Sequence, residues 1–349
     1  MANYDLIIVG GGLAGLALLD KLDKTALKIL LVDDKQRQQQ PAARPLVLNK
    51  KNAESLNCPL GYRLEAIKAS IFDKPGILNL KAAKHGLDYF ALVVNAVELY
   101  QQLLQRNINF IQHNTEVLSV KSNAAGAQVT LASGDILAAK LVVVADGSNS
   151  AISEKLKLNK ISASTMDIAI KPEIQLLYDV PAQLRFVPGG TLAYLPVAAK
   201  QGTIVATGAA TQCDMRKYWR QHLPIVQVPE LNISYTHNCF YLESLCKDNV
   251  VFLGNAAHSL APVGAQGFNL ACSAALKLAA LINNSDLSQV PALYQAELYD
   301  KMAKVFHACD FLAHQSLTGK YSFSSLGLLL MNTLNPLQAE VVNFGMGSN

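Results

Sequence analysis

The fold is decided by one stretch near the start of the chain, Asp5-Leu6-Ile7-Ile8-Val9-Gly10-Gly11-Gly12-Leu13-Ala14-Gly15. Its first part is almost entirely apolar, as expected of a parallel strand that is buried on both faces. The glycines then follow at G-x-G-x-x-G spacing, and an apolar-periodic helix comes next, over 16–22. In this setting Gly10 permits the tight turn, Gly12 lets the backbone approach a pyrophosphate, and Gly15 lets the helix pack on the strand. The stretch therefore predicts a dinucleotide-binding unit.

An acid follows at the position where such a unit binds a ribose. The second predicted strand, 28–32, ends at Asp33, 23 residues after Gly10. A carboxylate at about this distance from the glycines accepts hydrogen bonds from ribose hydroxyls, and Asp34 either shares or replaces this role. The contacts predicted for this half of the ligand are Gly10, Gly12, Leu13, Ala14, Gly15, Asp33 and Asp34.

Composition bounds the class of protein. With 349 residues, of which 51% are hydrophobic, the chain can bury one large core or two fused ones. The net charge of +4 is spread along the chain without a Lys/Arg run, so we expect no nucleic-acid partner. The six cysteines show no C-x-x-C spacing, which favours reduced thiols in the cytoplasm. We expect no metal site, because the one close histidine pair, His307 and His314, is two helical turns apart.

Two regions bear on where the protein works. The chain enters a predicted strand at Tyr4, and we expect no secretory leader. Residues 321–339 are uncharged and rich in leucine, but their serines, asparagines and Pro336 disfavour a membrane span. We expect a cytoplasmic protein in which this segment is a core or surface-seeking helix, suited to contact the inner membrane or a lipid-carrying partner.

Two further apolar strands run into polar turns. Strand 140–145 leads to Asp146-Gly147, and strand 250–253 leads to Gly254-Asn255. The carboxyl ends of parallel strands meet at one edge of a sheet, where ligands bind. The second turn continues through a Pro/Gly loop into a helix that runs to about residue 282. The N–H groups at the start of this helix attract a carbonyl oxygen or an anion.

The residues between these strands predict a second sheet and its connections. The turn-rich pattern over 60–90 favours antiparallel strands, and 93–104 predicts a helix. Residues 109–113 and 115–120 predict a strand whose backbone near Val117 contacts an adenine. Arg44 either holds the edge of the ligand or is a surface cation.

Several motifs carry a family resemblance. Three of them resemble the fingerprints of the single-component flavoprotein aromatic hydroxylases: Gly-Gly-Gly-Leu-Ala-Gly at 10–15, Ala-Asp-Gly-Ser-Asn-Ser at 145–150 and Leu-Gly-Asn-Ala-Ala-His at 253–258. The run Arg-Phe-Val-Pro-Gly-Gly-Thr-Leu-Ala-Tyr-Leu-Pro at 185–196 looks like the substrate-sheet motif of the ubiquinone-biosynthesis hydroxylases. Residues 326–347 are similar to the C-terminus of these enzymes, so the likeness covers nearly the whole chain.

The resemblance implies an α/β fold with a glutathione-reductase-like Rossmann domain that binds FAD, an interleaved antiparallel-sheet substrate domain, and C-terminal helices. The implied FAD-binding domain is discontinuous and comprises 1–60, 91–158 and 246–285. The implied substrate-sheet domain comprises 61–90 and 159–245, and the helical region 286–349. The chain lacks a second G-x-G-x-x-G, so NAD(P)H is expected as a transient reductant without a domain of its own.

The resemblance also assigns roles by position. Asp146 and Gly147 fall in the motif that serves both FAD and NAD(P)H, Gly254-Asn255 stands beside the ribityl chain, and Arg44 holds the cofactor edge. The loop and helix start would line the isoalloxazine ring, and we expect them to face its pyrimidine side. The residues so implied are Pro262, Gly264, Ala265, Gln266, Gly267, Phe268 and Asn269.

Three positions depart from the family pattern. Asn255 replaces an aspartate, Ala265 replaces a glycine of a Gly-Gln-Gly turn, and Ser153 stands where an arginine is usual. Asn255 still donates and accepts hydrogen bonds, but neutral bonds are about half as strong as charge-assisted ones. If the turn needs a positive φ at Ala265, its methyl costs about 1 kcal/mol or more. Ser153 puts the handling of NAD(P)H in question.

The implied activity is FAD-dependent hydroxylation of the aromatic ring of a polyprenyl phenol or quinol in ubiquinone biosynthesis, using NAD(P)H and O2. Tyr194, Pro262 and His258 are candidates to line the substrate pocket. Tyr194 is otherwise a half-exposed sheet aromatic, and His258 a structural hydrogen-bonding residue. No residue stands out as a general base.

The departures leave two alternatives open. Beside the hydroxylase stand a non-catalytic assembly subunit of the ubiquinone pathway with impaired FAD binding, and another flavoenzyme on the same scaffold, such as an oxidase or a prenyl reductase. Other ubiquinone-synthesis proteins are the expected protein partners.

Overall fold

The computed structural model describes residues 2–34, 44–58, 60–74, 76–123, 126–211, 223–226, 233–318 and 335–346. Most of the segment 321–339, the greater part of the C-terminal likeness over 326–347 and Cys213 lie outside these residues. The five described cysteines are free thiols.

The described part of the chain forms seven α-helices. Helix α1 follows the first strand directly, and the long helices come after the last strand. The helices are α1 (Leu13–Lys21), α2 (Lys50–Ser55), α3 (Ala96–Asn107), α4 (Ala151–Lys155), α5 (Gln266–Asn284), α6 (Val290–Thr318) and α7 (Asn335–Met346).

The first sheet is of Rossmann type, with the strand order β17-β18-β11-β1-β2-β8. Two further strands, β9 and β10, form a meander with β11. The strands of this sheet are β1 (Ala2–Val9), β2 (Ile29–Val32), β8 (Ile111–Gln112), β9 (Val117–Asn123), β10 (Gly126–Leu131), β11 (Ile136–Val144), β17 (Cys246–Lys247) and β18 (Val250–Phe252). β1 pairs in parallel with β2 and β11, and β11 pairs in parallel with β18. The turns after β1, β2, β11 and β18 therefore leave the same edge of the sheet, as the sequence predicts.

The second sheet, here called the roof sheet, has the strand order β19-β16-β12-β15-β14-β13-β5-β6. All its pairs are antiparallel except β13 with β5. Its strands are β5 (Ala66–Ile71), β6 (Ile77–Lys81), β12 (Lys160–Gln175), β13 (Ala182–Val187), β14 (Gly190–Ala198), β15 (Gln201–Gly208), β16 (Ile233–Leu242) and β19 (His258–Ser259).

A third, small sheet has the order β3-β7-β4. Its strands are β3 (Pro45–Asn49), β4 (Tyr62–Leu64) and β7 (Ala91–Asn95). The antiparallel strands predicted over 60–90 are therefore found, but they divide between this sheet and the roof sheet.

The predicted helix over 93–104 was wrong at its start. Val93 and Val94 belong to β7, and the helix begins at Ala96. Asn95 is its N-cap, because the side chain accepts a hydrogen bond from the Val97 N–H at 2.9 Å. The valines favour the extended strand, where β-branched side chains pack well.

Helix α6 connects the first sheet with the roof. Its Cys309 thiol lies 3.8 Å from the Val263 carbonyl oxygen, just before α5. Further along, the Ser316 carbonyl accepts a hydrogen bond from the Gly189 N–H of the β13–β14 turn at 3.0 Å. The helix therefore holds the roof above the loop that precedes α5. None of the described helices is both long and apolar enough to cross a membrane.

Candidate active site

The glycine loop, residues 10–15, is shaped by close backbone contacts. A Cβ at Gly10, whose φ is +107°, would overlap the Ala145 carbonyl oxygen, and a Cβ at Gly15 would overlap the Gly10 carbonyl oxygen. A Cβ at Gly12 would meet no atom of the described residues within 4 Å. Gly12 is also the N-cap of α1, so it leaves the N–H groups of the first turn without a side-chain cap. The loop therefore offers backbone donors toward open space, which suits a pyrophosphate.

Asp33 and Asp34 differ in their surroundings. Asp33 is 5% exposed, and a Cβ on Gly11 would lie 2.5 Å from its Oδ2, so the carboxylate lies directly under the glycine loop. Its backbone is fixed by bonds to Gln112 and Thr115, at 3.0 and 2.9 Å. Asp34 is exposed. Of the two, Asp33 is the carboxylate held at the loop.

Asp146 follows β11 at the same edge of the sheet. The residue is exposed to solvent, but the protein around its carboxyl group displaces much of the hydrating water and raises its pKa to about 6. A hydrogen bond with Ser150 opposes this rise, and the negative charge of Asp34 adds to it. The structure thus brings Asp34 and Asp146 together. Gly147, with φ +97°, completes the turn.

The turn after β18 packs against the glycine loop. Gly254 has φ +62°, and a Cβ there would lie 2.8 Å from the Ala14 Cβ. Asn255 follows with an exposed side chain that no described residue hydrogen-bonds. Its amide therefore remains free to bind a polar ligand beside α1. Leu13 and Ala14 lie in the first turn of α1, as predicted.

The name α5 loop denotes residues 262–265 together with the first three residues of helix α5, 266–268. Gly264 and Ala265 both have positive φ, +70° and +55°, and Ala265 is the N-cap without a side-chain cap. The first-turn N–H groups therefore face outward with the positive end of the helix dipole. Pro262, Gln266, Gly267 and Phe268 are half-buried around them, and Gln266 Nε2 donates to the Gly264 carbonyl at 3.1 Å. The positive φ makes the Ala265 methyl a strained feature.

Asn269 has a structural role that the sequence did not reveal. Its Oδ1 accepts a hydrogen bond from the Asn49 N–H at 2.8 Å, and its Nδ2 donates to the carbonyls of Val47 at 2.8 Å and Ala265 at 3.0 Å. The side chain is 5% exposed. Its polar atoms are therefore used to tie β3 to the α5 loop, and we do not expect them to bind the isoalloxazine directly.

The roof sheet has two unlike faces. Successive side chains point to opposite faces of a strand, and directly paired residues share a face. One face packs into the Rossmann core through Met166 and Cys239. We call it the roof face. Further along it, apolar side chains remain half-buried rather than enclosed, namely Leu184, Phe186, Ala193, Leu195 and Val205. They form an apolar, partly open surface on the side of the roof sheet that packs on the Rossmann core.

Tyr194 lies on the opposite face of the roof sheet. It is 1% exposed and packs with Leu192 and Ile204 in a separate apolar cluster. Its hydroxyl donates to the Gln201 carbonyl at 3.4 Å. The structure therefore does not bring Tyr194 to the roof face, and neither the pocket role nor the half-exposed position predicted for it is found.

His258 is also enclosed. It is 2% exposed, and neither ring nitrogen has a hydrogen-bond partner in the described part of the chain. Burial lowers the pKa of the ring to about 4. The imidazole is therefore a neutral core group, and neither the pocket role nor the hydrogen-bonding role predicted for it is found.

Arg44 and His237 lie where the roof meets the α5 loop. His237, half-buried on the roof face of β16, has its Nε2 2.9 Å from the Leu260 carbonyl oxygen and 3.1 Å from Ser259 Oγ. Burial lowers the pKa of the ring, the hydrogen bond with Leu260 opposes this, and the positive charge of nearby Arg44 lowers the pKa further. Arg44 itself is exposed, with its carbonyl bonded to the Ala96 N–H at 3.1 Å.

Ser153 fills the place where the resembled family has an arginine. It is fully buried in α4, and its Oγ donates to the Ser150 carbonyl at 2.8 Å. A long cation does not fit this position without rearrangement. The remaining predicted contact, Val117, is the half-buried first residue of β9.

These residues fit FAD. The glycine loop provides open donors for the pyrophosphate, Asp33 lies beside it, and the α5 N-terminus faces outward at the same edge of the sheet. A model of the FAD binding domain family matches residues 3–285, which is most of the chain. The chain belongs to this FAD-binding family. The family and the fold class predicted from the sequence are confirmed.

Known proteins extend the comparison. The ubiquinone hydroxylase UbiL of Rhodospirillum rubrum is 23% identical over 301 residues, which cover 76% of this chain and 69% of that protein. The p-nitrophenol 4-monooxygenase PnpA of Pseudomonas putida superimposes with a TM-score of 0.78 at 13% identity, covering 98% of this chain and 97% of that one. Klebsiella pneumoniae HpxO, solved with FAD and uric acid, gives 0.77 at 14% identity, covering 99% and 96%.

His237 is a candidate active-site residue that the sequence did not reveal. Nothing in its neighbourhood, Ile233-Ser234-Tyr235-Thr236-His237, distinguishes it from other strand residues. Its contacts come from Ser259 and Leu260, 22 and 23 residues away. The alternation of β16 indicates which residues share its face, but not that this face meets the α5 loop.

Proposed function

We propose that this protein hydroxylates the aromatic ring of a prenylated phenol or quinol on the route to ubiquinone, with FAD as cofactor, NAD(P)H as reductant and O2 as oxidant. The roof face carries the proposal, because it presents a partly open apolar surface on the side of the sheet that packs on the Rossmann core. Burying apolar surface there contributes roughly 25 cal/mol per Å², which favours a neutral ring with an isoprenoid tail. The likeness to a ubiquinone hydroxylase supports the pathway.

The distribution of charge supports a neutral substrate. Within 164–170, 182–187, 190–198, 201–208 and 234–239 of the roof sheet, the charged residues are Asp167 and Arg185. By register both point away from the roof face, since Asp167 pairs with Thr236 and Arg185 with Leu192. A carboxylate substrate would therefore lack a cation on these strands, whereas a phenol needs none.

The residues of the chain would position the reactants. Bound FAD would supply the activation of O2 with two electrons from NAD(P)H, so that one oxygen atom enters a ring C–H bond and the other leaves as water. The glycine loop and Asp33 would hold the adenosine half of FAD, and the first-turn N–H groups of α5 would stabilise negative charge at the flavin ring. The roof face would cover the ring and exclude water.

The test is an assay of the FAD-loaded protein with a short-chain prenyl phenol. We expect phenol-stimulated oxidation of NAD(P)H, matching oxygen uptake, and a product that mass spectrometry shows to have gained one oxygen atom. Leu195→Asp, on the roof face, should raise KM for the prenylated phenol, whereas Leu177→Asp, at a site 63% exposed, should not. Oxidation of NAD(P)H to peroxide without a new product would overturn the proposal.

A second candidate is a non-catalytic assembly subunit, which Asn255 and the strained Ala265 favour. Complementation separates the two. A stably folded variant with weakened FAD binding, such as Gly12→Ala, should restore less quinone synthesis than the wild type in a strain that lacks the gene. Restoration by a variant confirmed to be free of FAD would favour the assembly role. An oxidase or a prenyl reductase would be recognised by a product without a new ring oxygen.

A further inference from the structure

His237 occupies a distinctive place between the two parts of the site. It projects from the roof face of β16, opposite Met166 on β12. Its Nε2 faces Ser259 and the Leu260 carbonyl, two residues before Pro262 of the α5 loop. The imidazole therefore stands at the inner corner where the roof face and the α5 loop meet.

The hydrogen bonds of His237 define its tautomer. A carbonyl oxygen only accepts, so the 2.9 Å contact with Leu260 requires a proton on Nε2. In the neutral ring Nδ1 then carries a lone pair. Nδ1 has no partner among the described residues, and it is not among their fully enclosed polar atoms. The ring therefore presents an open proton acceptor at the site.

The groups around the ring keep it neutral. Partial burial lowers the pKa of His237 below its ordinary value, and the positive charge of Arg44, just before β3, lowers it further, while the hydrogen bond with the Leu260 carbonyl opposes this shift. The other titratable groups on its face of β16 are Tyr235 and the Cys239 thiol, whose pKa is raised to about 11 by burial. No described carboxylate acts on the ring to favour the imidazolium.

We propose that His237 Nδ1 accepts the proton of the phenolic hydroxyl of the substrate. The O–H bond breaks, the N–H bond forms, and the electron pair stays on the oxygen, which makes the ring more electron-rich before it is hydroxylated. The proton then returns to solvent through the open side of the site. This inference rests on the proposed function, since it assigns a role in phenol hydroxylation.

The competing role of His237 is a clamp that ties the α5 loop to the roof. His237→Gln separates the two, because a glutamine amide still donates to the Leu260 carbonyl but does not accept a proton. We expect this variant to retain FAD and to lose about 100-fold in kcat at pH 7. Its activity should rise toward pH 10, where a phenol ionises unaided. The wild type should instead be flat down to the depressed pKa of the histidine.

The matched control is Ser259→Ala, which removes the other contact of Nε2 and keeps the imidazole. It should keep the wild-type pH profile. A His237→Gln variant with an unchanged profile would overturn the inference, while a wild type without phenol-stimulated turnover would instead overturn the proposed function.

If His237→Gln loses FAD, a second measurement still tests the role of the histidine. The ultraviolet absorbance of phenolate, followed on wild-type protein without turnover, gives the pKa of the bound phenol. We expect ionisation well below the free value of about 10, and more lowering in Ser259→Ala, which keeps the imidazole, than in any variant without it. Ionisation of the bound phenol at its free pKa would overturn the role of His237.

Discussion

The glycine loop and the α5 loop, which we propose to hold two halves of one cofactor site, are under different physical demands. In the glycine loop, a methyl at Gly10 or Gly15 would overlap backbone oxygen, and every residue matches the expected pattern. In the α5 loop, Ala265 takes a conformation that favours glycine, with φ +55°. A Cβ at its neighbours Gly264 and Gly267 would meet no described atom within 4 Å.

The difference shows which half of the site the fold itself enforces. The glycine loop lies between three parallel strands and a helix, so an added methyl disturbs the core. The α5 loop is open, so Ala265 and the neutral Asn255 affect the ligand and the local backbone rather than the fold. We therefore infer that the adenosine half is built into the scaffold, whereas the flavin half is adjustable.

The largest effect is expected for Gly15→Ala, which places a methyl against the Gly10 carbonyl. Overpacking of this kind should lower the free energy of unfolding by about 3 kcal/mol and abolish FAD binding. Urea denaturation and flavin absorbance measure the two effects. The control is Gly12→Ala, where the methyl enters open space; it should weaken FAD binding at nearly unchanged stability. Equal stability losses in both variants would contradict the packing account.

The next effect tests the flavin half through Asn255→Asp. A carboxylate forms charge-assisted hydrogen bonds about twice as strong as those of an amide. With polar ribityl hydroxyls as partners, we expect FAD to bind about tenfold more tightly, which corresponds to about 1.4 kcal/mol. Fluorescence quenching during FAD titration measures the change. Weaker binding would show that this side chain does not face the hydroxyls.

A smaller gain is expected for Ala265→Gly. Since φ is +55° at this position, glycine should relieve strain and raise the free energy of unfolding by about 1 kcal/mol. Thermal unfolding of the apo protein measures it. The same change at Ala257, where φ is −94°, should destabilise the protein. A loss of stability in Ala265→Gly would contradict the assignment of strain.

The smallest effect concerns Asp146, beside the glycine loop. Its pKa is raised from 3.8 to about 6, so the folded protein binds this proton more tightly than the unfolded chain. Stability should therefore fall as pH rises from about 4 to 6. Asp146→Asn should remove this loss and so raise the free energy of unfolding at pH 7. The gain should be about 1 kcal/mol or less, because the residue is exposed to solvent.

The control for Asp146 has the opposite sign. A hydrogen bond from Lys140 lowers the pKa of Asp5, so its carboxylate stabilises the fold above the unfolded pKa and loses this effect in acid. Asp5→Asn should therefore cost stability at pH 7 and cost nothing at low pH. Urea unfolding across the pH range compares the two, and slopes of equal sign would contradict the assignment.

The glycine loop could be predicted from sequence because its determinants are local. Strand, turn and helix follow one another within fifteen residues, and each glycine has a steric reason that the spacing already expresses. The departures at Asn255 and Ala265 could be recognised in the sequence for the same reason, because they too lie in short local motifs. The positive φ of Ala265 agrees with the glycine that the resembled Gly-Gln-Gly turn has at this position.

The roof could be predicted only in part. Alternation shows that Tyr194 shares a face with Leu192, but the choice of face depends on how the sheet lies on the Rossmann core. The bonds of Asn269 to β3 and of His237 to Leu260 join residues far apart in the chain. No local pattern marks such contacts, so the role of Asn269 and the candidate base were missed.

The most direct test of the contrast between the two loops is calorimetric titration of the apo protein with FAD and, separately, with ADP. The wild type is compared with the double variant Asn255→Asp/Ala265→Gly. We expect the double variant to bind FAD at least about tenfold more tightly and ADP with unchanged affinity. Affinities for FAD and ADP that change together, or an FAD affinity that does not change, would contradict a scaffolded adenosine half and an adjustable flavin half.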